Sequence, residues 1–396
     1  MGARASPGWY VSRTHQGRAW RRFAHVPDGR QRPSLSLPTP GSRRAIVVAA
    51  GSFGTAVAVL LARGGLRTTL QTRTEEQARE LLSTHENRVY LPGVELPREL
   101  RIESIEAGLG RTDYVFLGVP SLTVGDTIRG LAGAGLGPRT PVISLAKGLT
   151  PPDGVAPTVM LRERIGDGRV ACIAGPAHAH EMVSEGAALV AASSNEELAR
   201  ALATVFTRAG VVCEVSNDPV GVELAGAAKN AAALAAGATE GQGLNAAGAA
   251  AGHIFAEVWR YAERHGARSE SLLGLAGTGD LVATVLAPQS RNRRAGELLA
   301  AGVPAADIPG RVGQAVESLE SVPLLALAVT RSGLEAPVTD GLAKLIAAEL
   351  PLEDWVALVR TTVPPPARWR RPQPGVLVRV AGRVGGLFSR RVGPAS

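Results

Sequence analysis

The sequence predicts an α/β fold: an N-terminal doubly wound parallel sheet followed by an all-α C-terminal domain. Three observations carry this. Short apolar runs rich in β-branched residues recur between about residues 45 and 215, with helical patterns between several of them. Those runs are continuously apolar rather than alternating, as strands covered on both faces are. From Asn217 to about Leu350 the strand signals give way to Ala- and Leu-rich helical sequence. The chain is therefore read as a sheet domain over 44–216 and a helical domain over 217–362, between a basic tail at 1–43 and another at 363–396.

The first strand is Ala45-Ile46-Val47-Val48-Ala49, running into Ala50-Gly51-Ser52-Phe53-Gly54-Thr55. Ala56–Ala62 continues as a helix, closed by Gly64-Gly65, and Thr68–Thr72 returns as a second strand. Further strands are expected at Tyr114–Val119, Val142–Ser144, Ala171–Ala174, Ala188–Ala191 and Val211–Val215. Asp218-Pro219 is a helix start, a capping carboxylate followed by proline at the first helical position. Val220–Ala238 is almost wholly small or apolar, which predicts a helix buried on most sides, with Lys229 in its middle. An unpartnered ammonium there would be costly, so Lys229 is expected to have a partner or face a cleft.

Composition bounds the function classes. Hydrophobic residues make up 45% of 396, enough for a large core, while aromatics are only 4%. Cys172 and Cys213 form neither a disulfide framework nor a metal site, so no metal is expected and the thiols suit a cytoplasmic protein. The formal charge of +8 is uneven: nine arginines and one acid in 1–44, seven arginines and no acid in 366–396, leaving −7 on the body. The front tail has no hydrophobic periodicity and lacks the apolar centre of a secretory signal, so solvated extensions are expected and no nucleic-acid partner. No segment is apolar for long enough to span a membrane.

The first strand–turn–helix is where a dinucleotide fingerprint belongs. The expected G-x-G-x-x-G stands as Ala49-Ala50-Gly51-Ser52-Phe53-Gly54, with alanine for the first glycine. Gly51 and Gly54 still allow a pyrophosphate to approach the helix N-terminus, whose amides and dipole favour an anion. This makes the first domain Rossmann-type. At the end of the second strand an acid would read the 2′-hydroxyl of NAD, and a cation would accommodate NADP. The chain offers Arg73 there and no acid before Glu75, so NADP is preferred over NAD. Lysine usage adds a further signal. Of 43 basic side chains only three are lysine, and two of these, Lys147 and Lys229, sit in Ser144-Leu145-Ala146-Lys147-Gly148 and Gly226-Ala227-Ala228-Lys229-Asn230. A guanidinium stays protonated, whereas a desolvated ammonium exchanges its proton, so lysine is retained where proton transfer is needed.

Together these peptides resemble the NAD(P)-dependent sn-glycerol-3-phosphate dehydrogenases of the bacterial type, from about Ala45 to about Leu350. The resemblance rests on Gly51–Ala56, Val119-Pro120-Ser121, Ala146–Leu149, Ala174-Gly175-Pro176, Gly221–Asn230, Gly277-Thr278-Gly279-Asp280-Leu281, Gln289–Arg294 and Gly313–Glu317 in that order. It implies reduction of dihydroxyacetone phosphate for phospholipid synthesis. Lys229 would donate the proton, Asp280 would orient it, and Lys147 would stand at the junction of cofactor and substrate. Ser290, Arg291 and Asn292 would hold the substrate phosphate, with Gly175 and Thr284 in the same pocket. Ser52, Phe53, Arg73, Ala179, Arg291 and Glu317 would contact the cofactor. A small phosphorylated substrate is the expected partner, with a homodimer left open as the assembly.

The sequence also departs from the family pattern. Ala49 replaces a glycine, Ala177-His178 stands where the family has Ser or Thr followed by Phe, and Ser318 stands for glycine. The helix at Gly252-His253-Ile254-Phe255 lacks its expected arginine. Two other readings therefore stay open: a paralogue reducing another small phosphorylated or phosphonate ketone, and a non-catalytic NAD(P)-binding sensor.

Overall fold

The computed structural model describes residues 43–363 apart from Pro288; the tails expected at either end lie outside the described residues. Ten strands occur in chain order: β1 (Arg44–Val48), β2 (Arg67–Thr72), β3 (Glu86–Asn87), β4 (Leu91–Glu95), β5 (Arg101–Ser104), β6 (Tyr114–Leu117), β7 (Val142–Ser144), β8 (Val170–Ala174), β9 (Ala188–Ala192) and β10 (Val212–Ser216). Eight of them form one sheet in the order β10-β9-β8-β7-β6-β1-β2-β5, and β3 pairs with β4 as a separate ribbon. The chain leaves β1 towards β2 and β5, then returns to β6 on the other side of β1. This reversal is the switch point at which open α/β sheets bind ligands.

Within the eight-stranded sheet pairing is parallel except between β8 and β9, where Ile173 faces Ala191 in antiparallel register. The turn-back at β8 reverses β9 and β10, so the last two strands depart from the all-parallel expectation. β5, the ribbon and α2 (Glu75–Thr84) were not read from the sequence: Arg101-Ile102-Glu103-Ser104 is half charged, and β3 is two residues long.

α1 (Ser52–Arg63) is buried continuously from Gly54 to Ala62 against the interior strands β1 and β2. A methyl on Gly54 would lie 2.3 Å from the Ala49 carbonyl oxygen, so only glycine lets helix and turn approach this closely. Ala49 itself has φ of 80°, the left-handed conformation that normally calls for glycine. The alanine thus stands in place of the fingerprint's first glycine with a glycine-like backbone.

The sheet is covered by α1, α2, α3 (Val124–Gly133), α4 (Pro157–Ile165), α5 (Ala179–Ser184) and α6 (Glu196–Arg208). The helical part follows as α7 (Pro219–Thr239), α8 (Leu244–Arg264), α9 (Ser269–Leu273), α10 (Asp280–Leu286), α11 (Arg291–Ala300), α12 (Ile308–Val312), α13 (Glu317–Arg331), α14 (Pro337–Ile346) and α15 (Leu352–Thr361). α7 begins as the sequence predicts: the Gly221 amide donates to Asp218 Oδ1 at 2.8 Å, with Pro219 in the first turn. It is buried from Gly221 to Thr239. Small residues bring α11 onto it, since a methyl on Gly296 would sit 2.0 Å from the Leu234 carbonyl oxygen. That close crossing delivers the start of α11 to the polar middle of α7. Among the described residues no single helix is long and apolar enough to cross a membrane.

Candidate active site

A cleft of about 160 Å³ opens between the β1–α1 turn, the ends of β7 and β8, and helices α7, α10 and α11. Eleven of the residues singled out from the sequence line it: Ser52, Phe53, Lys147, Ala179, Lys229, Asp280, Thr284, Ser290, Arg291, Asn292 and Glu317. Four do not. Gly51 and Gly54 shape the turn, Arg73 lies exposed at the end of β2, and Gly175 touches the site through its carbonyl, which accepts from Lys147 Nζ at 3.2 Å.

Its centre is one carboxylate between two lysines. Asp280 accepts from Lys147 Nζ at 2.8 Å through Oδ2 and faces Lys229 Nζ at 3.4 Å through Oδ1. The resemblance pairs Asp280 with Lys229, yet the shorter contact is to Lys147. A π-helical turn, Leu275–Gly279, delivers Asp280 to the start of α10. Thr284 lies one turn later on the same face, and its Oγ1 accepts from Lys229 Nζ at 3.1 Å. Lys229 and Asp280 are 6% and 2% exposed. Burial pulls the Lys229 ammonium down to about 8, against the opposing pull of Asp280 and with Lys147 adding to the decrease. Burial alone would raise the Asp280 carboxyl; the two ammoniums outweigh it and hold it below its ordinary value. Two ammoniums on one carboxylate leave a buried surplus of positive charge, which suits an anionic ligand or a developing oxyanion.

Beside this cluster is the N-terminus of α11. Ser290 caps it, accepting from the Arg293 amide at 3.4 Å, so Ser290, Arg291 and Asn292 present polar side chains where free helix amides collect. Arg293 and Arg294 turn away to Glu240 and Glu297, and Arg291 alone of the three arginines lines the cleft.

Asn230 and Gln314 take their roles only from the fold, and His178, one of the departures from the family pattern, joins them. Asn230 Nδ2 donates to the Lys147 carbonyl at 2.9 Å, and its Oδ1 accepts from Asn292 Nδ2 at 2.8 Å. Its signal was present: an amide in an otherwise apolar helix, adjacent to the lysine that drew attention. Gln314 accepts from Arg291 and from Ser52 Oγ, at 3.1 and 3.4 Å, across 262 residues in the second case. No local pattern reports such a closure. His178 also lines the cleft, its Nε2 3.3 Å from the Ala283 carbonyl oxygen.

The turn at β1 fits a dinucleotide. α1 has no side-chain cap and no acid in its first turn, and a methyl placed on Gly51 would meet nothing within 4 Å. Unpaired amides above open space suit a pyrophosphate. Arg73 follows β2, which is in register with β1, and the Ala49 amide donates to the Gln71 carbonyl at 3.0 Å. The arginine therefore stands at the neighbouring strand end.

The chain is similar to known proteins along most of its length. The family model for the N-terminus of NAD-dependent glycerol-3-phosphate dehydrogenase matches residues 45–199, and that for its C-terminus matches 218–357. The glycerol-3-phosphate dehydrogenase [NAD(P)+] of Deinococcus radiodurans is 37% identical over 308 residues, covering 76% of this chain and 90% of the relative. The enzyme of that name from Prosthecochloris aestuarii is 33% identical over 327 residues, covering 81% and 98%. The crystal structure of glycerol-3-phosphate dehydrogenase from Coxiella burnetii superposes with a TM-score of 0.75 at 28% identity, covering 81% and 99%.

Proposed function

Because the chain belongs to the NAD-dependent glycerol-3-phosphate dehydrogenase family, we propose that it reduces dihydroxyacetone phosphate to sn-glycerol 3-phosphate with NAD(P)H, as a step towards glycerophospholipids in the cytoplasm. The observation that carries this reading is the shared carboxylate: Asp280 holds Lys147 and Lys229 together, beside the helix N-terminus bearing Ser290, Arg291 and Asn292.

Gly51, Ser52, Phe53 and Gly54, with the α1 N-terminus, would hold the dinucleotide, joined by Arg73, Ala179 and Glu317. The nicotinamide supplies the hydride for the C2 carbonyl. The chain's own residues handle charge and proton. As the ketone oxygen gains negative charge, the ammoniums of Lys147 and Lys229 stabilise it. Lys229 Nζ holds the proton to be delivered, and burial, by lowering its pKa to about 8, makes release easier than from an ordinary lysine. Asp280 stays ionised and, with Thr284 Oγ1, fixes the direction of that ammonium. Arg291 and the α11 N-terminus bind the phosphate, which makes the reaction selective for a phosphorylated ketone. No side chain here needs a metal.

Arg73 at the end of β2 favours the 2′-phosphate, so NADPH is the preferred donor. Initial rates with dihydroxyacetone phosphate and each reduced cofactor test both parts. Turnover of neither removes the enzymatic reading. An NADH preference unmoved by Arg73→Ala removes the role of Arg73.

A further inference from the structure

One side chain in the cleft is used by none of these steps. His178 is half-buried on the segment that leads from Gly175, whose carbonyl meets Lys147, into α5. Its Nε2 lies 3.3 Å from the Ala283 carbonyl oxygen. A carbonyl only accepts, so Nε2 carries the hydrogen, and in the neutral ring Nδ1 is a bare lone pair. Nδ1 makes no hydrogen bond to the described residues. His178 is the N-cap residue of α5, but its side chain takes no capping bond.

The ring's neighbours place it towards the anion-binding end of the cleft. Ala283 precedes Thr284, the partner of Lys229. Glu181, one turn along from His178, accepts from Gln289 Nε2 at 3.3 Å, and Gln289 directly precedes the Ser290 cap of α11. His178 is thus bracketed by α10 and by the segment that carries the phosphate-binding residues.

We propose that His178 contacts the substrate directly, its Nδ1 sharing one proton with a phosphate oxygen of the bound ligand. This rests on the reading that the cleft takes a phosphorylated ketone. The charged groups that line the cleft with His178 are Lys147, Lys229 and Arg291 on one side of the balance and Asp280 and Glu317 on the other, with Glu181 one turn along from His178 and bonded to Gln289. The cations draw in a phosphate dianion, and a bare lone pair would repel it. A single proton between Nδ1 and the phosphate oxygen turns that repulsion into a charge-assisted bond. Phosphate monoesters take up their second proton at about pH 6, so near neutrality the ligand arrives largely as the dianion. At neutral pH the shared proton must therefore come from solvent, and ligand binding is accompanied by proton uptake. No covalent bond forms or breaks.

The test is calorimetric titration of sn-glycerol 3-phosphate into NADPH-saturated protein, in two neutral buffers of different ionisation enthalpy. Ligand and cofactor are both reduced, so nothing turns over. The wild type should take up close to one proton per ligand. His178→Phe should lose that uptake and bind the ligand roughly tenfold or more weakly, as the loss of a charge-assisted hydrogen bond requires. His178→Gln, which keeps a polar side chain that does not titrate, should recover much of the affinity without the uptake. Unchanged NADPH binding establishes that each variant is folded. Equal affinity and equal uptake in wild type and His178→Phe would overturn the proposal while leaving the substrate reading intact, as would wild-type binding without uptake. Absence of any sn-glycerol 3-phosphate binding would overturn both.

Discussion

Lys229→Arg separates charge from proton transfer at the centre of the site. The lysine Nζ lies 3.4 Å from Asp280 Oδ1 and 3.1 Å from Thr284 Oγ1, nearly closed off from solvent. Burial has brought its ammonium down to about 8, so near neutral pH it is mostly protonated yet able to release. An arginine could keep the positive charge towards Asp280, but a guanidinium does not give up its proton in a protein. Loss of a positioned general acid costs about 10²–10⁴ in rate, or roughly 3–5 kcal/mol of barrier. We expect kcat for dihydroxyacetone phosphate to fall by that factor, with NADPH affinity by fluorescence titration changing little. The same group sets a pH limb. The donor ammonium is present below about 8 and lost above it, so kcat/KM for reduction should decline as pH rises through that value. The reverse oxidation needs the free amine and should rise through the same point. A Lys229→Arg enzyme within tenfold of wild-type kcat would refute the proton-donor role, as would a reduction limb that Lys229→Arg leaves in place.

Four other outcomes are expected. Arg291→Ala should raise KM for dihydroxyacetone phosphate about ten- to a hundredfold, the worth of a charge-assisted phosphate contact, and affect unphosphorylated dihydroxyacetone much less; equal losses on both ketones at saturating cofactor would remove the anchor role. Arg73→Ala should shift the NADPH-to-NADH ratio of kcat/KM towards NADH, and an unchanged ratio would show that Arg73 does not read the 2′ position. Ala49→Gly relieves a left-handed alanine at φ of 80°, a conformation costing roughly 1–2 kcal/mol, partly offset by the greater freedom of unfolded glycine. The net gain of about 0.5–1 kcal/mol should raise Tm by about 1 °C, and a lower Tm would contradict the strain. Glu223 is buried on α7, accepting from the Thr158 amide at 2.9 Å, and burial pushes its carboxyl from 4.5 up to about 7. A raised carboxyl stabilises the fold fully below about 4.5, and that contribution is lost as pH rises towards 7. Glu223→Gln should therefore remove a decline of roughly 3 kcal/mol over that window, measured as the wild-type minus variant difference by urea denaturation; parallel profiles would contradict it.

Much of this was legible because local chemistry leaves marks in sequence. Apolar runs gave seven of the eight strands of the main sheet, and the Asp218-Pro219 cap gave the start of α7. Lys229 stood out because an ammonium inside a small-residue helix needs a reason. The same logic covers Asn230, whose amide would be as costly unpaired. Illegible parts were of two kinds. β5 and the β3–β4 ribbon are short and polar, held by pairing rather than by their own periodicity. Gln314, joining Ser52 to Arg291, and the sharing of Asp280 between two lysines depend on loops and helices meeting across separations of up to 262 residues. Ala49 was read as a weakening of the glycine fingerprint, yet it keeps the glycine-like backbone at the expense of strain.

The most direct test of the central claim is the oxidation of NADPH and of NADH by the purified chain on addition of dihydroxyacetone phosphate, with the product identified. We expect one reduced cofactor consumed per sn-glycerol 3-phosphate formed, and a rate far above that with unphosphorylated dihydroxyacetone. No oxidation above background with either cofactor, while both still bind, would contradict the reading of Lys229, Asp280 and Lys147 as a working reductase centre.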